Sequence, residues 1–278
     1  MSTESLTVRG RRRVRQIGRR AAQQLGLMPW LIPRRTDICC CGLSKTGTHS
    51  IAGLFQAYRT EHHPDSRIRL ELAIGLLQNK LDEDEIAKLL RRRDRALWLE
   101  MESSTLAGIL VRPLARACPR KRFVLTVRDV YSWCDSWFDH NINLPAHPGF
   151  QNLDRIRLHP ESFPVTPYDR PLKDRSFFSL AAYFSLWSQH TRHVLDSLPA
   201  DRLLIVRTHE LLASLPKIAT FARVPTDSLL SGRGWEFRTE RKHRVLAELD
   251  AGYVHETAER YSGEMMERLF GDISWGWS

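Results

Sequence analysis

Ser44, Lys45, Thr46, Thr48, His49 and Ser50 crowd around a turn bounded by two glycines, Gly42-Leu43-Ser44-Lys45-Thr46-Gly47-Thr48. Four apolar or thiol residues, Ile38, Cys39, Cys40 and Cys41, run into it and stop at Gly42, as a buried strand does. After the turn Ile51, Leu54, Phe55 and Tyr58 recur at i, i+3, i+4 and i+7, the stripe of an amphipathic helix. A strand, a glycine-bounded turn and a helix start together present unpaired backbone N–H groups and the positive end of a helix dipole. That chemistry suits a phosphate or another tetrahedral anion, and Lys45 adds a mobile positive charge.

The position of the lysine selects among anion donors. A nucleoside-triphosphate loop, G-x-x-x-x-G-K-[ST], places lysine directly after the second glycine. Here Thr48 follows Gly47, and Lys45 lies two residues before it. Lysine inside the turn, followed by Thr-Gly-Thr, resembles the 5′-phosphosulfate loop of sulfotransferases that use 3′-phosphoadenosine 5′-phosphosulfate (PAPS). The loop pattern of that family, roughly [PG]-x-[KR]-[ST]-G-[TS]-[TS], is matched from Gly42 to Thr48, with His49 where many members have Thr. The resemblance implies that Ser44, Lys45, Thr46, Gly47, Thr48, His49 and Ser50 hold the phosphosulfate.

A second segment, Lys121 to Trp137, carries the same resemblance. Phe123 to Val127 are continuously apolar or β-branched, the signature of a parallel strand covered on both faces. The strand ends in Arg128-Asp129, with Ser136 eight residues after Arg128. In the family, an arginine at a strand end and a serine at that separation grip the 3′-phosphate, a role implied here for Arg128 and Ser136. The plainer reading makes Arg128-Asp129 a helix-entry salt bridge. A basic segment near the C-terminus, which in the family closes over the same phosphate, makes Arg238, Arg241 and Lys242 further candidates, although the family's Arg-Lys-Gly signature is missing.

Sulfuryl transfer also needs a base for the acceptor proton and a cation for the leaving phosphate. Lys45 is the cation. After the first helix the chain reads Arg59-Thr60-Glu61-His62-His63-Pro64. In some bacterial sulfotransferases the corresponding turn resembles [GH]-E-P with the acid as base, so the resemblance gives His63 that role. Glu61, His62, Glu100 and Glu102 are its rivals. The same-fold alternative is a Mg²⁺-dependent P-loop kinase, with Asp129 as a strand-end acid. The different-class alternative is a non-catalytic anion- or nucleic-acid-binding protein.

The elements that must position these residues fit a three-layer α/β/α fold with a mainly parallel sheet. The 278 residues, 42% of them hydrophobic, suffice for one core, expected over residues 36–278. Helices are expected from Arg67 to Leu90, broken where Asp82 to Glu85 start a second one, and from about Phe177 to Leu198. Further strands are expected at Ala96–Leu99 and Leu203–Val206. Six prolines between Asp139 and Lys173 and the lack of sustained periodicity mark an irregular segment, about residues 139–175, expected to wall the acceptor site.

The net charge of +10 is concentrated at one end. Residues 1–35 carry nine arginines against Glu4, leaving 33 basic and 31 acidic residues for the rest. A basic arm can meet nucleic acid or anionic surfaces, but no nucleic-acid motif or interleaved aromatic accompanies this one. It reads as a solvated helix packed by Val14, Ile17 and Leu25, so no nucleic-acid partner is expected. No stretch approaches the roughly 20 apolar residues of a membrane span, and no apolar region follows the early arginines. A cytoplasmic protein is expected. Cys39, Cys40 and Cys41 alternate faces in one strand and cannot converge on one ion, so no metal site is expected. The acceptor, a small molecule or glycan, and the oligomeric state are left open.

Overall fold

The computed structural model describes residues 32–233 and 242–272. Its centre is a five-stranded, all-parallel sheet, formed by β1 (Ile38–Cys40), β2 (Thr60–His62), β3 (Met101–Ser103), β4 (Arg122–Val127) and β5 (Leu203–Arg207). Their order is β2-β3-β1-β4-β5. Side chains alternate between the two faces, as a parallel sheet covered on both sides requires. Cys39, Phe123, Leu125 and Val127 join one core, and Ile38, Cys40, Val124 and Val206 the other. The three consecutive cysteines are therefore buried packing residues divided between two layers.

The smaller layer holds α1 (Thr48–Leu54), which follows the glycine-bounded turn. The larger layer holds α2 (Ser66–Leu77), α3 (Glu83–Leu97), α4 (Thr105–Ile109), α5 (Val111–Ala117), α6 (Val130–Asn143), α7 (Pro148–Leu158), α8 (Arg170–Lys173) and α9 (Leu180–Ser197). The short α10 (Leu215–Ala222) packs its Ile218 and Ala219 beside α1, and α11 (Ala251–Phe270) buries Val254, Met265 and Phe270 in the larger layer. Because all five strands run the same way, their C-terminal ends meet at one edge, where open α/β sheets bind ligands.

Two expected elements differ. The strand expected at Ala96–Leu99 lies instead at Met101–Ser103. Asp82 caps α3 through the Glu85 amide, with Glu85 reaching back in a capping box. The helix then runs through Leu97 and ends on Trp98 in the left-handed region, φ 49°. The irregular segment at 139–175 is largely helical. Its prolines start elements: Pro148 opens α7 and Pro171 sits in the first turn of α8, where a missing N–H costs nothing. Arg34 and Arg35, the last arginines of the arm, are pinned to the body by Asp37, Asp94 and Glu100, and stack on Trp98 and Tyr58. Residues 1–31 lie outside the described residues.

Candidate active site

The turn after β1 is held from outside by its carbonyls. The Thr46 hydroxyl bonds the Leu43 carbonyl at 2.8 Å and meets the Thr126 hydroxyl at 2.9 Å. Trp133 Nε1 donates to the Ser44 carbonyl at 2.9 Å, Arg128 Nη1 to the Lys45 carbonyl at 3.4 Å, and Thr208 Oγ1 to the Thr46 carbonyl at 2.6 Å. Thr208 is also 2.9 Å from the Val127 carbonyl, so it ties the loop to β4. With the carbonyls committed to the framework, and the Thr46 amide bonded to the Leu43 carbonyl at 3.3 Å, the other N–H groups of the turn and those that open α1 are left for an outside acceptor.

The two glycines are required for different reasons. A Cβ on Gly42 would stand 2.2 Å from Thr126 Oγ1 and 2.7 Å from its carbonyl oxygen, so the loop could not lie against β4. Gly47 turns the chain into α1 at φ 95°. Lys45 itself has φ 70°, a conformation that L residues adopt at a cost and that clusters at ligand-binding turns.

The second motif converges on the same loop. Arg128, at the exit of β4, reaches Lys45 through its guanidinium, while its own carbonyl accepts Trp187 Nε1 at 3.0 Å. Asp129 makes no salt bridge to it; Asp129 caps α6, accepting the Ser132 amide at 2.9 Å and its hydroxyl. On α6, Trp133, Ser136 and His140 fall at i, i+3 and i+7, one face of the helix. Trp133 bonds the loop, and the charge of Lys45 is felt at His140, so Ser136 is on the face turned to the loop. Burial lowers the pKa of both cations, and Arg128 lowers Lys45 further. Two cations held close together at a cost, at the strand ends, would be offset by an anion.

The turn after β2 lies at the same edge, since Cys40, Ser103 and His62 are in register across β1, β3 and β2. Its histidines diverge. His62 stacks on His49 with ring centroids 3.4 Å apart, and its Nε2 is 3.3 Å from Thr48 Oγ1, placing it against the start of α1. His63 has φ 52° and turns the other way, with Nδ1 3.0 Å from Ser104 Oγ and its ring 6.2 Å from Phe150 on α7. Burial, and then the neighbouring His63 and His49, lower His62 to about 2. Burial, and then His49 and Arg69, lower His63 to about 4. Both rings are neutral near pH 7.

The carboxylate rivals separate from this cluster. Glu102, in the middle of β3, is buried, 2.9 Å from Arg93 Nη1, 3.1 Å from Arg69 Nη1 and 3.5 Å from Lys121 Nζ. Despite the opposing cost of burial, these cations hold it well below the usual carboxylate range, so it is a poor proton acceptor and is corrected from candidate base to structural anion. Glu100 precedes β3, at the end of the sheet away from these turns, and accepts the Arg35 and Arg59 amides. Glu61 is on the edge strand, paired in register with Glu102 and exposed. Lys242 is exposed, next to His243, whose amide bonds Asp139 of α6 at 2.6 Å. Arg238 and Arg241 lie outside the described residues.

Thr126, Trp133, Thr208 and His190 brace the site but carried no motif. His190 Nδ1 accepts from Arg157 at 3.0 Å, because a guanidinium only donates, and its Nε2–H donates to the Cys41 carbonyl at 3.0 Å. Among the described residues no group of three or more His, Cys, Asp or Glu is arranged to hold a metal ion, and no helix is long and apolar enough to cross a membrane.

Residues 37–225, more than half of the chain, match the family model described as sulfotransferase domain. The chain belongs to that sulfotransferase family. No curated protein matches it in sequence. Among solved structures it is similar to sulfotransferase STF9 from Mycobacterium avium, at 13% identity over 90% of this chain and 81% of that one, with a TM-score of 0.53. A sulfotransferase from Alicyclobacillus acidocaldarius matches at 13% identity over 83% of this chain and 95% of that one, with a TM-score of 0.47. The sulfotransferase architecture, a P-loop-like α/β fold with a parallel sheet, is thus the fold of this chain. The turn at Gly42–Gly47 joins β1 to α1 at the C-terminal edge of its sheet.

Proposed function

We propose that this sulfotransferase takes PAPS as donor and moves its sulfuryl group to a hydroxyl or amine of a small-molecule or glycan acceptor. The observation that carries the reading is the convergence of Lys45 and Arg128, two partly desolvated cations, on one loop whose carbonyls are tied outward. The donor fits what the residues offer: N–H groups and Lys45 for the 5′-phosphosulfate, Arg128 and Ser136 for the 3′-phosphate.

PAPS supplies an activated sulfuryl group on a phosphate leaving group. In this mechanism Lys45 neutralises charge building on the oxygen between phosphorus and sulfur. His63, neutral and on the side of α7, accepts the acceptor's proton as the new O–S or N–S bond forms. The old S–O bond breaks with its electron pair on the phosphate, and 3′-phosphoadenosine 5′-phosphate (PAP) is released. His62, beside Thr48, lies on the donor side and orders the helix start. The segment 139–175 forms the acceptor wall, residues 36–278 are the catalytic domain, and Lys242 belongs to the cover of the 3′-phosphate.

Incubating the protein with PAPS and acceptor pools in excess EDTA tests this. The expected result is a product heavier by one sulfuryl group, with PAP released in equal amount. Transfer that requires added Mg²⁺, or a phosphoryl product from ATP, would replace the reading with the kinase alternative.

A further inference from the structure

Helix α7 turns one stripe toward the domain: Phe150, Leu153, Asp154, Arg157 and Leu158, at i, i+3, i+4, i+7 and i+8. Leu153 and Leu158 are buried on it. At one end Phe150 meets the His63 ring, and at the other Arg157 donates to His190, which is bonded to the Cys41 carbonyl at the exit of β1. Asp154 is between them on the same stripe. Its carboxylate therefore faces the space bounded by the proposed base, the start of the anion loop and α9.

An inward carboxylate is costly unless it is bonded. Asp154 accepts no hydrogen bond and forms no ion pair among the described residues, and Arg157, one turn on, bonds His190 instead. Burial pushes Asp154 up to about 6, against the opposing pull of Arg157. Its charge is felt at Tyr183 of α9, whose ring packs 4.8 Å from Trp137 and 5.0 Å from Phe138. Trp137 is half-buried and adjoins Ser136, so an aromatic wall leads from the donor side to Asp154. Asp154 lends its charge to buried Arg157, but its oxygens carry no hydrogen bond among the described residues, which leaves them open at the end of this wall.

We propose that Asp154 is a specificity-determining residue for the acceptor, receiving a hydrogen bond from a second O–H or N–H group of an aromatic acceptor whose attacking oxygen is presented to His63. The proposal rests on the sulfotransferase reading above.

Three phenols matched at the attacking oxygen test it: tyramine, 2-(4-hydroxyphenyl)ethanol and 4-ethylphenol, whose far ends carry an ammonium, a hydroxyl and no donor. The wild type is expected to favour one of the first two over 4-ethylphenol by roughly ten- to hundredfold in kcat/KM. In Asp154→Asn and Asp154→Leu that ratio falls toward one, and whichever far end loses more identifies the bonded group. Asp154→Asn keeps the shape and should melt near the wild-type temperature, whereas Asp154→Leu also removes a charge that offsets buried Arg157. An unchanged ratio in both variants, a wild type that treats the three alike or uses none of them, or a lowered melting temperature in both variants overturns the proposal. Calorimetric titration with PAP separates the two readings. A wild type that does not bind PAP fails the donor assignment, whereas one that binds PAP and keeps its ratio in the variants fails only Asp154.

Discussion

Nδ1 of His63 lies 3.0 Å from Oγ of Ser104, the same oxygen that accepts the Leu106 amide at 3.1 Å and caps α4. Ser104 is fully buried, so one rigid hydroxyl fixes both a helix start and the orientation of the proposed base. Only Nε2 is then left to turn toward an acceptor. Ser104→Ala should lower kcat roughly 5- to 30-fold, the value of one orienting hydrogen bond, with PAP affinity unchanged. It should also lower stability by about 1 kcal/mol through loss of the cap. Ser104→Thr keeps the hydroxyl and should restore kcat. A melting-temperature loss with wild-type kcat would leave Ser104 as a cap alone.

The pH profile follows from the depressed basicity of His63. A base must be unprotonated to act, and burial beside His49 and Arg69 brings His63 in the free enzyme down to about 4. The value of kcat/KM should therefore stay flat from pH 7 to about 5 and fall below that, instead of falling through the usual histidine value near 6.5. His63→Ala should cost on the order of 10²–10⁴ in kcat. An acidic limb centred near 6.5 would contradict the buried environment of the ring, and wild-type turnover in His63→Ala with collapse in Glu61→Gln would move the role to the edge strand.

The strand, glycine-bounded turn and helix around Lys45 were legible in the sequence because their signals are local. Glycine spacing, Lys45 and the apolar run before Gly42 are all set within a dozen residues, and Arg128 with Ser136 repeats the case in one strand-helix step. What the sequence hid is non-local. Glu102 read as a polar residue beside a turn, yet it occupies a buried strand because Arg69, Arg93 and Lys121 arrive from three other elements. Thr208 and Trp133 carry no signal of their own, since their value is the carbonyl each meets across the fold. The prolines at 148 and 171 read as breakers because the N-cap that makes them helix starters is a matter of geometry rather than of composition.

Glu102 should prove structural when it is removed. Glu102→Gln keeps the shape but leaves three buried cations without their shared anion, a change that costs about 3–5 kcal/mol. Its carboxylate pKa is held low in the folded state, so its contribution is present above the ordinary carboxylate range and is lost only as pH falls through the depressed value. Denaturant melts at pH 7 should show the loss. Whatever fraction of the variant remains folded should keep the wild-type acidic limb of kcat/KM, because Glu102 does not take the proton. A fold of normal stability with abolished turnover would return Glu102 to the list of bases.

The proposed reading divides donor recognition between the two cations, so their substitutions should fail differently. If Arg128 grips the 3′-phosphate as proposed, PAP should bind the wild type far better than AMP, each charge-assisted contact contributing roughly 1.5–3 kcal/mol. Arg128→Ala should collapse that difference, and it also frees the Lys45 carbonyl that the guanidinium holds at 3.4 Å. Arg128→Lys keeps the charge but not the fork, and should recover only part of it. Lys45 acts where charge grows during transfer, so Lys45→Ala should depress kcat more than PAP affinity. Calorimetry with PAP and AMP on the three variants, beside single-turnover transfer from PAPS, checks both halves. Equal affinity of the wild type for PAP and AMP would remove the 3′-phosphate site from Arg128 and Ser136.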